Sequence, residues 1–149
     1  MKKIVFNTKE NWGATILRIV LGIVIFSHGA QSMLGWFGGY GLASTLKALT
    51  VMMKLPWIVA LSVICIQFFG SIMLMLGVGT RIAALGIFGI FIGMATYHFD
   101  YGFHMNWFGT KSGEGFEYHV LVLSMCLALL IYGGGSLSID RKFFKASTL

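Results

Sequence analysis

Residues 18–42 read RIVLGIVIFSHGAQSMLGWFGGYGL, from Arg18 to Leu42. An apolar helix carries an arginine, a histidine and a glutamine, then breaks on a glycine-rich aromatic turn. Ionisable side chains inside an apolar span are costly, so they point to a functional site. Working outward, the first span is expected over 12–34, with Asn11 as its cap and Trp12 at headgroup level. That length suits a hydrocarbon core of about 30 Å. Gly22 and Gly29 lie seven apart, on one face, where a second helix can approach closely.

Three further spans follow, over 56–78, 81–99 and 116–137. Pro56 suits a first helical turn. Gly77-Val78-Gly79-Thr80-Arg81 makes a tight link, and Gly89 and Gly93 form a GxxxG pair that predicts close helix contact. Between the first two spans, Ala43–Lys54 has apolar residues at helical spacing (Leu46, Leu49, Met53), with Lys47 and Lys54 left wet. It predicts a short amphipathic helix on the membrane surface or over the bundle. The expected fold is all-α: an integral membrane four-helix bundle in a single domain over 1–149.

Composition agrees. Of 149 residues, 57% are hydrophobic and 11% charged, with 20 Gly and one Pro, which is too apolar for a soluble domain of this size. The net charge of +6 sits at helix ends and tails, as membrane orientation requires, and is no nucleic-acid signal. The basic stretch at the amino terminus resembles a signal-sequence flank, but no small-residue cleavage site follows, so a retained helix is expected. Cys65 and Cys126 fall in apolar runs at similar depth. They read as two small buried residues, or as a pair facing each other across the bundle.

Counting depth along the helices, His28 and Gln31 share one face in the outer half of the first span. His98 ends the third, Glu117 and His119 begin the fourth, and Gln67 sits near the middle of the second. These groups converge on one outward-opening cleft, roofed by Trp36, Phe37, Trp107 and Phe108. Each has a plainer reading. His98, Glu117 and His119 can be interface residues, Gln67 a hydrogen-bonded bridge between helices, and His28 a buried structural group. Arg18 reads as snorkelling to headgroups. His98, Asp100, His104, Glu117 and His119 match no metal-binding spacing, and no metal site is assigned.

The stretch 18–42, with FFGSIMLMLGVGTRIAAL, the GEGFEYH entry to the fourth span and SLSID at its far end, resembles the DoxX family of small four-helix membrane proteins. HGAQ, FGG, LGVGTR and SLSID occur together here. The family is related to the DoxD-type membrane subunit of thiosulfate:quinone oxidoreductase. The resemblance implies a bacterial-type inner-membrane protein near quinone chemistry. Ser32 and Gln67 stand where many members carry a lysine and an acidic residue, so any proton traffic falls to Glu117 and the histidines.

On that resemblance the expected ligand is a quinone. Gln31, Gln67, His98, Trp36 and Trp107 would bind it, and His28, Glu117 and His119 would be the catalytic groups. No flavin, haem or iron–sulfur motif is present, so a redox partner subunit or a bound cofactor would deliver electrons. The alternatives are a non-catalytic subunit of a redox complex, or a carrier for a lipid or small molecule. Membrane lipids are expected partners, and the glycine faces allow a homo-oligomer.

With four spans both termini share one side. That side holds Lys2, Lys3, Lys9, Arg81, Arg141, Lys142 and Lys145, against Lys47, Lys54 and Lys111 opposite, so the termini are expected in the cytoplasm. Lys47→Cys, Lys111→Cys and Lys145→Cys, each in a background lacking Cys65 and Cys126, check this. An outside-only thiol reagent on intact cells should label the first two and spare the third.

Overall fold

The computed structural model describes residue 8 and residues 10–146. Lys2, Lys3 and Lys9, which enter the charge asymmetry, lie outside the described residues. Among the described residues the chain is all helical, with no strand. Helix α1 spans Trp12–Leu34, and the Asn11 side chain accepts the Ala14 N–H at 3.1 Å, as a cap should. It stops at Gly35, whose φ of 75° suits glycine. Helix α2 spans Gly41–Met52, its last five residues wound as a π turn. Helix α3, Trp57–Leu76, contains a second π turn over Ile66–Gly70. Helix α4 covers Thr80–His98 and runs on into a 3-10 turn, Phe99–Tyr101. Helices α5, Glu117–Tyr132, and α6, Ile139–Ala146, complete the described chain.

Three of these helices, α1, α3 and α4, are long and apolar enough to cross a membrane. Helix α5 differs from expectation. It has 16 residues, or roughly 24 Å at the helical rise, and does not continue to Leu137. Gly133 and Gly135, both at φ 76°, turn the chain out of the helix. Residues from α1, α3, α4 and α5 nevertheless share one core, built on Leu21, Ile25, Leu74, Ile87, Phe91, Val122 and Leu129. Outward, Ile16, Ile23, Ile58, Leu85, Leu121 and Ile131 are all exposed, an apolar exterior that water disfavours and lipid does not.

The glycine face of α1 does what its spacing predicts. A Cβ on Gly22 would stand 3.1 Å from the Ser71 carbonyl oxygen, and one on Gly29 would stand 2.7 Å from the Phe68 nitrogen. Both are backbone atoms of α3, so the two helices touch there only because the side chain is absent. The GxxxG pair corrects its expectation. Gly89 and Gly93 have nothing within 4 Å and are exposed. Helix α4 turns Ile87 and Phe91 inward, and residues two further on lie about 200° around the helix.

Arg18 is the larger correction. It is 1% exposed and does not snorkel. Its Nε donates to the Gly134 carbonyl at 2.7 Å, and Nη1 to those of Leu74 at 2.7 Å and Met75 at 2.6 Å. Nη2 donates to the Leu137 carbonyl at 2.6 Å. Beside it, Asp140 accepts the Gly79 and Thr80 N–H groups at 2.8 and 2.9 Å, capping the start of α4. Its own N–H donates to Gly77 at 2.9 Å. A Cβ on Gly77 would meet Ser138 and the Arg18 guanidinium. The LGVGTR link and the SLSID stretch are therefore one packed unit around Arg18.

Arg18→Met should leave these carbonyls unpaired and lower stability by at least about 3 kcal/mol. Arg141→Met, which removes an ion pair with the exposed Glu10 and a long 3.5 Å contact with the Ser136 carbonyl, should cost less, about 1 kcal/mol. Denaturation of the two purified variants in detergent measures the contrast.

Candidate functional site

At the end of the fold opposite Arg18, the helices leave a cavity of about 350 Å³. Helix α1 lines it with His28, Gln31 and Ser32, and α2 with Thr45 and Leu49. Helix α3 supplies Val63, Ile64 and Gln67, and α4 supplies Phe91, Met94 and His98. The connection between α4 and α5 gives Met105 and Glu114, and α5 gives Tyr118 and His119. The cavity thus gathers His28, Gln31, Gln67, His98 and His119 from the predicted residues. Its volume lies near the lower end of small-molecule sites, and its mixture of apolar wall and few polar groups is typical of them.

Gln67 stands in the π turn of α3 and is 7% exposed. The extra residue in such a turn is a frequent device at functional sites. Its amide nitrogen reaches only the Met94 sulfur, at 3.9 Å. Gly29 presses against the backbone of this same turn, so the close approach of α1 brings His28 beside it.

His98 and His119 stack with ring centroids 4.8 Å apart and planes at 29°. The Nδ1 of His98 lies 2.9 Å from the Glu114 carbonyl oxygen. His119 is 7% exposed, and its Nδ1 has no hydrogen-bond partner among the described residues. The hydroxyl of Tyr118 is likewise buried and unpaired. Phe91 packs on both rings, at 5.9 Å from Tyr118 and 5.6 Å from His119. Tyr118 and His119 both line the cavity, but their two unpaired atoms are sealed behind its surface, where each unmade hydrogen bond costs about 1–3 kcal/mol.

Other predicted residues stand elsewhere. Glu117 does not line the cavity. Its carboxylate takes His104 and the Trp107 indole, each at 3.3 Å, and its N–H donates to Phe103 at 2.9 Å. Helical geometry gives the reason: Glu117 and His119 are two apart and point to different faces. Trp36 and Trp107 are 54% and 78% exposed and do not roof the cavity. Trp107 is held outward by Glu117. His28 lines the cavity but is exposed, with the Tyr118 ring 6.2 Å away. It has no hydrogen-bond partner among the described residues, because Gln31 donates instead to Phe37 at 3.2 Å. The 35–41 turn folds back over Gln31, and a Cβ on Gly39 would collide with that residue's backbone.

Residues missed in the sequence are Tyr118, Ser32, Thr45, Met105 and Glu114. Tyr118 had a usable signal: it precedes His119 in an apolar helix and carries a polar tip. Both cysteines are free thiols, Cys126 buried in the core and Cys65 partly so. Among the described residues no three His, Cys, Asp or Glu side chains gather as a metal ion would require.

The connection over 100–115 closes on itself. Glu114 accepts the Asn106 N–H at 2.9 Å, and the Asn106 side chain exchanges two hydrogen bonds with the Lys111 backbone. The Lys111 ammonium donates to the His104 carbonyl at 2.8 Å. A Cβ on Gly115 would strike the His104 carbonyl. The loop is a wall of the cavity, not a free strap.

The DoxX family model matches residues 13–100, from α1 through α4. No curated protein and no solved structure matches the chain.

Glu117→Ala removes the acceptor for both His104 and Trp107. It should speed tryptic cleavage at Lys111 about fivefold in the detergent-purified protein, corresponding to roughly 1 kcal/mol of lost loop closure. Cleavage rates of wild type and variant, followed by mass spectrometry, check it.

Proposed function

The chain belongs to the DoxX family, and on that premise we propose that its cavity holds the head group of a membrane quinone or quinol. The observation that carries this reading is the convergence of His28, Gln31, Gln67, His98 and His119 on one cavity whose wall is otherwise built of Phe91, Met94, Ile64 and Leu49. A ring with oxygen at its edge meets these polar side chains and fills the apolar slot between them. Water would satisfy the polar groups and leave the slot wet; a hydrocarbon tail would do the reverse.

In this reading the protein is a multi-pass protein of a bacterial-type inner membrane with both termini cytoplasmic. The three long helices and the shorter α5 all cross, making a four-helix bundle over the whole chain, and the cavity faces the outer side. His119 and His98 receive the ring oxygens. Glu117 and His104 pair outside the cavity wall, and proton exchange with the aqueous phase falls to them. His28 borders the cavity from α1 and stays open to an arriving ligand. Electrons come from a partner subunit or a bound cofactor.

Quinone content per protein, measured in organic extracts of the detergent-purified chain, tests the proposal. His119→Phe should lower it about tenfold and Gln67→Leu about threefold, as loss of one buried hydrogen bond each implies. Unchanged content in both folded variants would remove the cavity as the quinone site.

A further inference from the structure

Resting on the quinone reading, we infer that the cavity prefers the reduced, hydroxyl-bearing ring over the oxidised, carbonyl-bearing one. The contact between His98 and the α4–α5 connection decides this. A carbonyl oxygen only accepts, so the 2.9 Å contact with Glu114 puts the proton of a neutral His98 ring on Nδ1. Its Nε2 is then left with a lone pair, an acceptor fixed by the backbone of the loop.

Two more acceptors share that wall. Gln31 commits its amide nitrogen to Phe37, and Gln67 turns its own toward Met94. Their oxygens accept from no described residue. The second N–H of each amide and His119 serve either ring form alike and do not discriminate. His98 Nε2 does. A quinone carbonyl facing it sets lone pair against lone pair, whereas a quinol hydroxyl donates to it. The loop thereby sets the selectivity through a main-chain oxygen that no side-chain change at position 114 removes.

The test uses a short-tailed ubiquinone and its borohydride-reduced quinol, titrated anaerobically into the detergent-purified protein. The quinol should bind about tenfold more tightly, the worth of one buried hydrogen bond made rather than opposed. A redox titration of the bound pair gives the same answer independently. Tighter quinol binding raises the midpoint potential, by about 30 mV per tenfold preference for a two-electron couple. His98→Phe keeps a ring against His119 and removes the fixed acceptor, so the affinity ratio should fall at least about threefold, the glutamine oxygens keeping the remainder.

Equal or reversed affinities in the wild-type protein, or an unchanged ratio in His98→Phe, overturn the inference while the head-group reading stands. Binding of neither form overturns both. Should His98→Phe not fold, the wild-type midpoint decides alone: an unshifted or lowered potential overturns the preference.

Discussion

A helix that ends among apolar groups must find donors for its last carbonyls, and here one guanidinium supplies them. Arg18 reaches from α1 to two carbonyls at the end of α3 and to two more in the 134–137 turn. Arginine is suited to this because its fork of N–H donors is rigid and stays charged. Asp140 performs the complementary task at the start of α4, where free N–H groups favour a carboxylate. Opposite charges therefore cap the two helix ends flanking one short link. Gly77 and Gly79, at φ 70° and 56°, let that link turn tightly enough for both caps to reach. With this end pinned, the tilt of α1 against α3 is set by Gly22 and Gly29, and the cavity opens where the helices part at the other end.

Much of this was legible in the sequence. Apolar runs mark the long helices because each must face lipid or core along its length, and the seven-residue spacing of Gly22 and Gly29 marks a contact face directly. The role of Arg18 was not legible. Its partners are main-chain carbonyls, which carry no residue-type signal, and an arginine near a helix end has a side chain long enough to turn either way. Gly89 and Gly93 show the converse. Small residues permit close approach without requiring it, so spacing alone says which face is open and not which face is used.

The site divides along the same line. His28, Gln31, Gln67, His98 and His119 stand out because polar side chains on apolar helices are few and must converge to be tolerated. Grouping Glu117 with His119 overlooked the helical period, which sends them to different faces. Trp36 and Trp107 look like a roof in sequence because they are aromatics in the two outer connections, yet loop direction depends on backbone hydrogen bonds such as Phe116 to Gly102 at 3.2 Å. The π turn around Gln67 has no composition of its own. It arises from how α3 accommodates its neighbours, and only the folded chain reveals it.

The Arg18 cluster also has a temporal side. During synthesis α1 emerges first, and its arginine enters apolar surroundings well before its partners exist. The Leu74 and Met75 carbonyls become available once α3 is made, so half of the four bonds can close on the first three helices. Those to Gly134 and Leu137 wait for nearly the whole chain, at sequence separations of 116 and 119 residues. Asp140, which caps α4, arrives later still. A nascent chain stalled before residue 134 is thus left with a half-paired charge among its helices.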